Sequence, residues 1–233
     1  MTWLAWVTFG VALVLALVRI PAALRGQSQL MLWLFALLAG AVLLSIEGPY
    51  LAIDHFLGGF NLANLLLRFL LYGITLLLAV RIAQAFGARG AQRVLLGPWG
   101  LAALGVVGGA TVCSFVLLDP GASSVGLHGE ATDIWFTVYS TLGRVYPGFT
   151  GVVLLPCLFR AVRRAPHRML RAAALLLAAG YTLLALTNTF TLLPPSAVPL
   201  MEAVNYSTLL LILSGLATIW IGGLVARRRA VTS

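Results

Sequence analysis

Residues 61–81 read NLANLLLRFLLYGITLLLAVR, an apolar run that opens on two asparagines and ends at an arginine. A helix rises 1.5 Å per residue, so about twenty residues cross a bilayer core of roughly 30 Å. Six other stretches resemble it, and together they predict seven transmembrane helices near 2–18, 30–51, 61–80, 94–118, 134–159, 171–193 and 201–225. We expect an all-α polytopic membrane protein, a seven-helix bundle forming one domain over residues 1–233.

Charged residues alternate between the turns that separate these stretches. Basic residues are retained on the cytoplasmic side of a membrane, so the pattern predicts an outside N-terminus, a cytoplasmic C-terminus and a location in the plasma membrane. Thirteen of the fifteen arginines mark the inner turns: Arg19, Arg25, Arg81, Arg89, Arg93, Arg160, Arg163, Arg164, Arg168, Arg171, Arg227, Arg228 and Arg229. The six acids lie at or near the outer turns: Glu47, Asp54, Asp119, Glu130, Asp133 and Glu202.

Polar residues form one stripe along the third predicted helix. Asn61, Asn64, Arg68, Tyr72 and Thr75 follow one another at intervals of three or four, which places them on one helical face. Lipid cannot satisfy such groups, so the stripe should face the interior of the bundle. Polar residues of other helices fall at matching depth and predict an outward-facing chamber. Its candidate ligand-binding residues are Arg68, Arg144, Glu47, Asn64, Tyr72, Tyr146, Asn188, Glu202, Asn205 and Tyr206.

Two interpretations of this chamber stay open. Arg68 and Arg144 are the two arginines outside the inner turns, and a guanidinium group suits a carboxylate or phosphate. They could therefore hold a small anionic or zwitterionic ligand. Alternatively, Glu47 with Arg68 and Glu202 with Arg144 are internal ion pairs that only tie helices together. A third option for Arg68 is that its side chain extends to the membrane interface.

Several classes of protein are disfavoured. The chain has no lysine, so a retinal Schiff base is excluded. A net charge of +9 would suit nucleic acid, but no basic soluble domain is present to carry such binding. His55, His128 and His167 are not spaced to share a metal, and no catalytic motif is found. We therefore expect neither a cofactor, nor a metal, nor enzymatic activity, and the depths of Cys113 and Cys157 predict two free thiols.

Partners are expected at the membrane. Membrane lipids contact the apolar faces, and a small anionic ligand would occupy the chamber. Gly105 and Gly109 are four residues apart, a spacing that allows close helix packing within the chain or against a protein partner. The arginine-rich inner loops are a second candidate surface for a protein partner.

The passage EGPYLAIDHFLGGFNLANLLLRFLLYGITLLLA, residues 47–79, carries a family resemblance. Pro49, Asp54, Gly58 or Gly59, and the run Asn61 to Leu66 resemble a seven-helix actinobacterial family of integral membrane proteins described as transporters. The resemblance implies the topology and a transport role. The sequence thus predicts a transporter of a small anionic or zwitterionic solute or a lipid-derived ligand. The alternative is a non-transporting receptor or sensor, or an accessory subunit of a membrane complex.

Overall fold

The computed structural model describes residues 2–26, 29–118, 134–165, 167–192 and 197–232. These ranges are almost entirely helical and contain no β-strand. The helices are α1 (Thr2–Leu24), α2 (Gln29–Leu44), α3 (Glu47–Phe56), α4 (Leu62–Ala85), α5 (Arg89–Leu96), α6 (Pro98–Leu118), α7 (Ile134–Arg164), α8 (Arg168–Leu186) and α9 (Val198–Thr232). A 3-10 helix, Thr187–Leu192, continues from α8.

Within these described ranges, four helices are long and apolar enough to cross a membrane: α4, α6, α7 and α8 with its extension to Thr189. The bent pair α2–α3 raises the number of candidate spans to five. Shorter apolar stretches lie in α1, at Ala5–Pro21, and in α9, at Ala203–Ile219. Within the apolar window of α6 only 33% of residues are buried, and Val106 and Val116 are exposed, as lipid contact requires. The described residues therefore form an all-helical structure with four or five candidate membrane spans, and the count of seven stays a prediction.

The predicted continuous helix 30–51 is wrong, because the chain bends by 94° between α2 and α3. Ile46 has extended backbone angles (φ −94°, ψ 125°), and the hydroxyl of Ser45 bonds the carbonyl of Val42 at 2.7 Å. Pro49 explains the break. In an unbroken helix its ring would clash with the carbonyl of Ser45, whereas in the first turn of α3 its missing N–H has no intrahelical partner to lose.

The inner loop predicted at 81–93 is also mostly helical. The structure extends α4 to Ala85 and places the short α5 before α6, with the break at Gly97–Pro98. Proline suits the first position of a helix, so α6 begins at Pro98 and not near residue 94.

The described residues divide into two compact units. The first contains Met1–Leu78 and Ala102–Gly143, and the second contains Ala79–Leu101 and Arg144–Ser233. In the first unit α1 packs along α2, and in the second α8 packs along α9. Whether the chain is one functional domain stays a prediction.

Two glycines allow the close packing of α8 against α9. A Cβ atom added at Gly180 would lie 2.8 Å from Cγ1 of Ile212 and 3.2 Å from its backbone nitrogen. One added at Gly215 would lie 2.6 Å from Cγ of Leu177. The two helices can approach this closely only because both positions lack a side chain.

We predict that Gly180→Ala lowers the free energy of unfolding by about 1–3 kcal/mol, the usual effect of overpacking. Gly222→Ala in α9 is the matched control, because its added Cβ would lie 3.9 Å from the nearest atom, Cβ of Met169. Reversible unfolding in detergent, followed by circular dichroism, measures both. Equal stability of the two variants would contradict the close packing at Gly180.

Candidate functional site

The loop between α3 and α4 is fixed by the carboxylate of Asp54. One oxygen accepts a hydrogen bond from the backbone N–H of Asn61 at 3.0 Å, and the other accepts from that of Ala63 at 2.9 Å. Asp54 is 0% exposed. The first N–H groups of a helix have no intrahelical acceptor, and the helix dipole favours a negative charge there. Asp54 therefore caps α4 from a neighbouring helix.

Tyr50 lies one turn before Asp54 on the same face of α3. Its fully buried hydroxyl donates to the side-chain oxygen of Asn61 at 3.1 Å. Asn61 has a positive φ of 56°, a conformation that asparagine tolerates better than most residues. The two α3 side chains thus hold the turn from which the polar stripe of α4 begins.

The next turn of α4 contacts α7. The hydroxyl of Tyr139 donates to the side-chain oxygen of Asn64 at 2.7 Å, and both residues are buried. The Cζ atom of Arg68 lies 4.9 Å from the centroid of the Tyr139 ring, a cation–π geometry. Asn64 therefore bonds the hydroxyl of Tyr139, and the guanidinium of Arg68 lies over its ring.

Gly143 provides the space for the Arg68 guanidinium. It lies one turn after Tyr139 in α7, and a Cβ atom at this position would collide with the guanidinium nitrogen and carbon atoms. Arg68 is thus positioned by an aromatic face and a missing side chain. Arg68 as a whole residue is half-buried.

One turn further along α4, Tyr72 contacts two other helices. Its hydroxyl is 2.9 Å from the hydroxyl of Thr111 in α6 and donates to the carbonyl of Leu142 in α7 at 3.1 Å. Tyr72 is 1% exposed. Thr75, the last member of the stripe, is half-buried and bonds the carbonyl of Leu71 within its own helix.

The inward orientation predicted for this stripe is confirmed. Asn61, Asn64 and Tyr72 are buried, and their side chains bond to α3, α6 and α7. We call the side chains that make these contacts the α4 network: Tyr50, Asp54, Asn61, Asn64, Arg68, Tyr72, Thr111 and Tyr139. All of them belong to the first unit.

Glu47, a predicted residue of the chamber, lies outside the α4 network. It is exposed in the first turn of α3, after the 94° bend, whereas Asp54 on the same helix is fully buried. The partner found for Arg68 within the described residues is the ring of Tyr139, in the place proposed for Glu47.

The remaining predicted site residues belong to the second unit. Arg144 is half-buried in α7, and the buried ring of Tyr146 stacks on Phe149 with centroids 6.1 Å apart. The amide nitrogen of Asn188 donates to the carbonyl of Ala185 at 3.1 Å. It also lies 2.5 Å from the position that a Cβ atom of Gly148 would take.

Three further candidates lie on α9. Asn205 is exposed, and the side chains of Glu202 and Tyr206 lie outside the described part of the chain. An ion pair between Glu202 and Arg144 therefore stays a prediction.

Sequence reasoning did not include Tyr50, Thr111, Tyr139 and Gly143 among the ligand-binding candidates. Three of the four carried a signal. Tyr50 precedes Asp54 by four residues, and Tyr139 precedes Gly143 by four, so each pair shares a helical face. Thr111 gave none, because a lone threonine in an apolar helix normally bonds its own backbone, as Thr111 also does with the carbonyl of Val107.

Metal-ligating groups are not clustered in the part of the chain that the structure describes. No three histidine, cysteine or acidic residues come together there, and His128 falls outside the described residues. Cys113 and Cys157 are free thiols, on α6 and α7. Comparison of the chain with models of protein families, with characterised proteins and with solved structures gives no match.

We predict that Asp54→Asn lowers the free energy of unfolding by about 1–3 kcal/mol. The amide group keeps one acceptor oxygen and loses the other, so one buried N–H at the start of α4 is left without its acceptor. Glu47→Gln is the control, since it makes the same change of charge at an exposed position of the same helix. Chemical denaturation in detergent micelles provides the comparison. Equal effects of the two substitutions would contradict the capping role of Asp54.

We predict that Gly143→Ala displaces Arg68 and destabilises the protein by about 1–3 kcal/mol. Gly109→Ala in α6 is the control, because no atom lies within 4 Å of its added Cβ. Unfolding temperatures of both variants, each purified in the same detergent, are the measurement. A Gly143→Ala protein as stable as Gly109→Ala would show that the guanidinium lies elsewhere.

Proposed function

We propose that this protein is a multi-pass carrier of the plasma membrane that binds a small anionic or zwitterionic solute at Arg68. In the proposed topology seven spans cross the bilayer, the N-terminus is outside and the C-terminus is cytoplasmic. The α4 network then lies in the outer half of the membrane, because Arg81 and the arginines after it mark the inner end of α4. We propose no enzymatic activity.

The observation that carries the proposal is the setting of the Arg68 guanidinium. The ring of Tyr139 and the space at Gly143 position it, and Arg68 as a residue is half-buried. A guanidinium group has five N–H donors in a planar fork, more than the ring and hydroxyl of one tyrosine can engage. An arginine placed in this way is prepared for a carboxylate or phosphate, which it can bind with two parallel hydrogen bonds.

The position of Arg68 in the membrane adds support. An arginine inside a span costs roughly 2.5–3.5 kcal/mol at the bilayer centre on insertion scales, and residues of this kind commonly mark solute pathways. Asn64 and Tyr72 lie one turn on either side of it and are already bonded to α7 and α6. These bonds fix the position of α4 around Arg68. In the proposal, the Arg68 guanidinium binds the solute.

A receptor, sensor or accessory subunit is the second candidate function. The observation that favours it is the set of hydrogen bonds joining α4 to α3, α6 and α7 in the first unit. A carrier that works by moving these helices past one another would have to break several buried hydrogen bonds in each cycle. A non-transporting protein could bind the same solute at Arg68 without such motion.

Anion-dependent stabilisation tests the proposal. Thermal unfolding in detergent is measured with acetate, glutamate or inorganic phosphate against chloride at equal ionic strength. We expect at least one of the three to raise the unfolding temperature of the wild type, because a ligand that binds only the folded state stabilises it. We expect Arg68→Gln to abolish the rise. Arg25→Gln, at an exposed position after α1, is the control and should keep it.

Vesicle uptake of the stabilising anion separates the two candidates. Uptake by wild type that is lost in Arg68→Gln supports a carrier, whereas stabilisation without uptake supports a receptor or subunit. If the wild type gains stability from none of the three anions, or if Arg68→Gln gains as much as wild type, Arg68 is not the solute site.

A further inference from the structure

The turn between α4 and α6 contains an open groove of about 650 Å³ in the second unit, and no residue of the α4 network lines it. The short helix α5 forms most of its wall. The lining residues are Arg89, Gln92, Arg93, Leu96, Gly97 and Pro98. Four of them, at positions i, i+3, i+4 and i+7, share one face of α5, so the groove follows that face.

The charge of the groove is strongly positive. Arg89 and Arg93 are exposed and lie one helical turn apart, which brings their Cβ atoms within about 5–6 Å of each other. The sequence contains no aspartate or glutamate between Asp54 and Asp119, so α4, α5 and α6 contain no acid that could neutralise the pair. Two guanidinium groups at this spacing match the oxygens of one phosphate.

The same turn also exposes large apolar side chains. Leu96 is 52% exposed and Trp99 is 80% exposed, while Leu95 on the other side of α5 is fully buried. Basic residues followed by exposed leucine and tryptophan are typical of a helix at the boundary between headgroups and acyl chains. A soluble phosphate compound would leave Leu96 and Trp99 in water, whereas a phospholipid would cover both.

Close backbone packing gives the groove a fixed floor. A Cβ atom at Gly97 would collide with the carbonyl of Arg93, and one at Gly100 would collide with the carbonyls of Val94 and Leu95. The chain can turn from α5 into α6 this tightly only because both positions are glycine. The arginine pair and Leu96 therefore lie on one preformed surface, and the exposed Trp99 follows directly after its last lining residue, Pro98.

We propose that this groove binds the headgroup of an anionic phospholipid. Arg89 and Arg93 bind its phosphate, Gln92 donates to a headgroup oxygen, and Leu96 and Trp99 lie along the acyl chains. The leaflet is the one that the arginine-rich turns face, the cytoplasmic leaflet in the topology proposed above. Binding here does not require transport or any ligand at Arg68.

Lipid binding to the full chain tests this inference. The purified protein is titrated with dioleoyl phosphatidylglycerol in micelles, with dioleoyl phosphatidylcholine as the uncharged comparison, and bound lipid is counted by native mass spectrometry. We expect Arg89→Gln/Arg93→Gln to weaken phosphatidylglycerol binding at least about tenfold, since the charge-assisted hydrogen bonds of both arginines to one phosphate are lost. The control is Arg163→Gln/Arg164→Gln, an exposed pair at the end of α7 that does not line the groove, for which we expect less than about a threefold change.

A second readout locates the lipid. Phosphatidylglycerol with brominated acyl chains quenches nearby tryptophans, and we expect Trp99→Phe to lose a larger share of this quenching than Trp33→Phe, a substitution of another exposed tryptophan. Unfolding in detergent micelles that contain phosphatidylcholine shows whether each variant keeps its fold. If the Arg89→Gln/Arg93→Gln variant misfolds, the quenching comparison alone decides whether the lipid binds beside Trp99.

Three results would overturn the inference. Equal losses from the two arginine pairs would indicate unspecific attraction to the surface, and equal quenching losses at the two tryptophans would place the lipid elsewhere. If inorganic phosphate stabilised the protein against unfolding as strongly as phosphatidylglycerol does, the groove would be assigned to a free anion. All of these measurements are made without a solute for Arg68. Their failure would therefore not bear on the proposed solute site, and failure of that site would not bear on lipid binding.

Discussion

Hydrocarbon offers no hydrogen-bond partner, so each polar side chain within a membrane helix must find one in the protein. In this chain that constraint acts most strongly on α4, which carries Asn64, Arg68 and Tyr72 on one face and follows directly after Asn61. Each of the four contacts a neighbouring helix: α3 for Asn61, α7 for Asn64 and Arg68, and both α6 and α7 for Tyr72. The position of α4 in the first unit follows from satisfying these groups.

The bend before α3 is part of the same solution. If α2 continued in a straight line through Pro49, the following residues would not return towards the start of α4. The 94° turn makes α3 a separate short helix, and its Tyr50 and Asp54 then reach the first turn of α4. A carboxylate that would be costly in lipid is thus used as a helix cap, with both oxygens bonded to backbone N–H groups.

Sequence periodicity was sufficient for the helices and for the orientation of the stripe. Apolar length identified α4, α6, α7 and α8, and the spacing of Asn61, Asn64 and Tyr72 identified their inward face, since both depend on local geometry alone. The helix breaks at residues 45–46 and at Gly97 were missed, although Pro49 and Pro98 marked them, because apolar runs continue across both prolines. The partner of Arg68 could not be predicted, since it depends on which helix packs against α4. Charge complementarity favoured Glu47 as the partner of Arg68. In the structure, the packing of α7 instead places the Tyr139 ring and the space at Gly143 beside the guanidinium.

The most direct test of this account is the coupling between Asn64 and Tyr139, measured by a double-mutant cycle with Asn64→Ala and Tyr139→Phe. The free energy of unfolding is determined in lipid–detergent micelles for the wild type, both single variants and the double variant. A buried hydrogen bond between two membrane helices predicts a coupling energy of about 0.6–1.7 kcal/mol. Strictly additive effects of the two substitutions would contradict the central claim that the polar face of α4 is satisfied by its neighbouring helices.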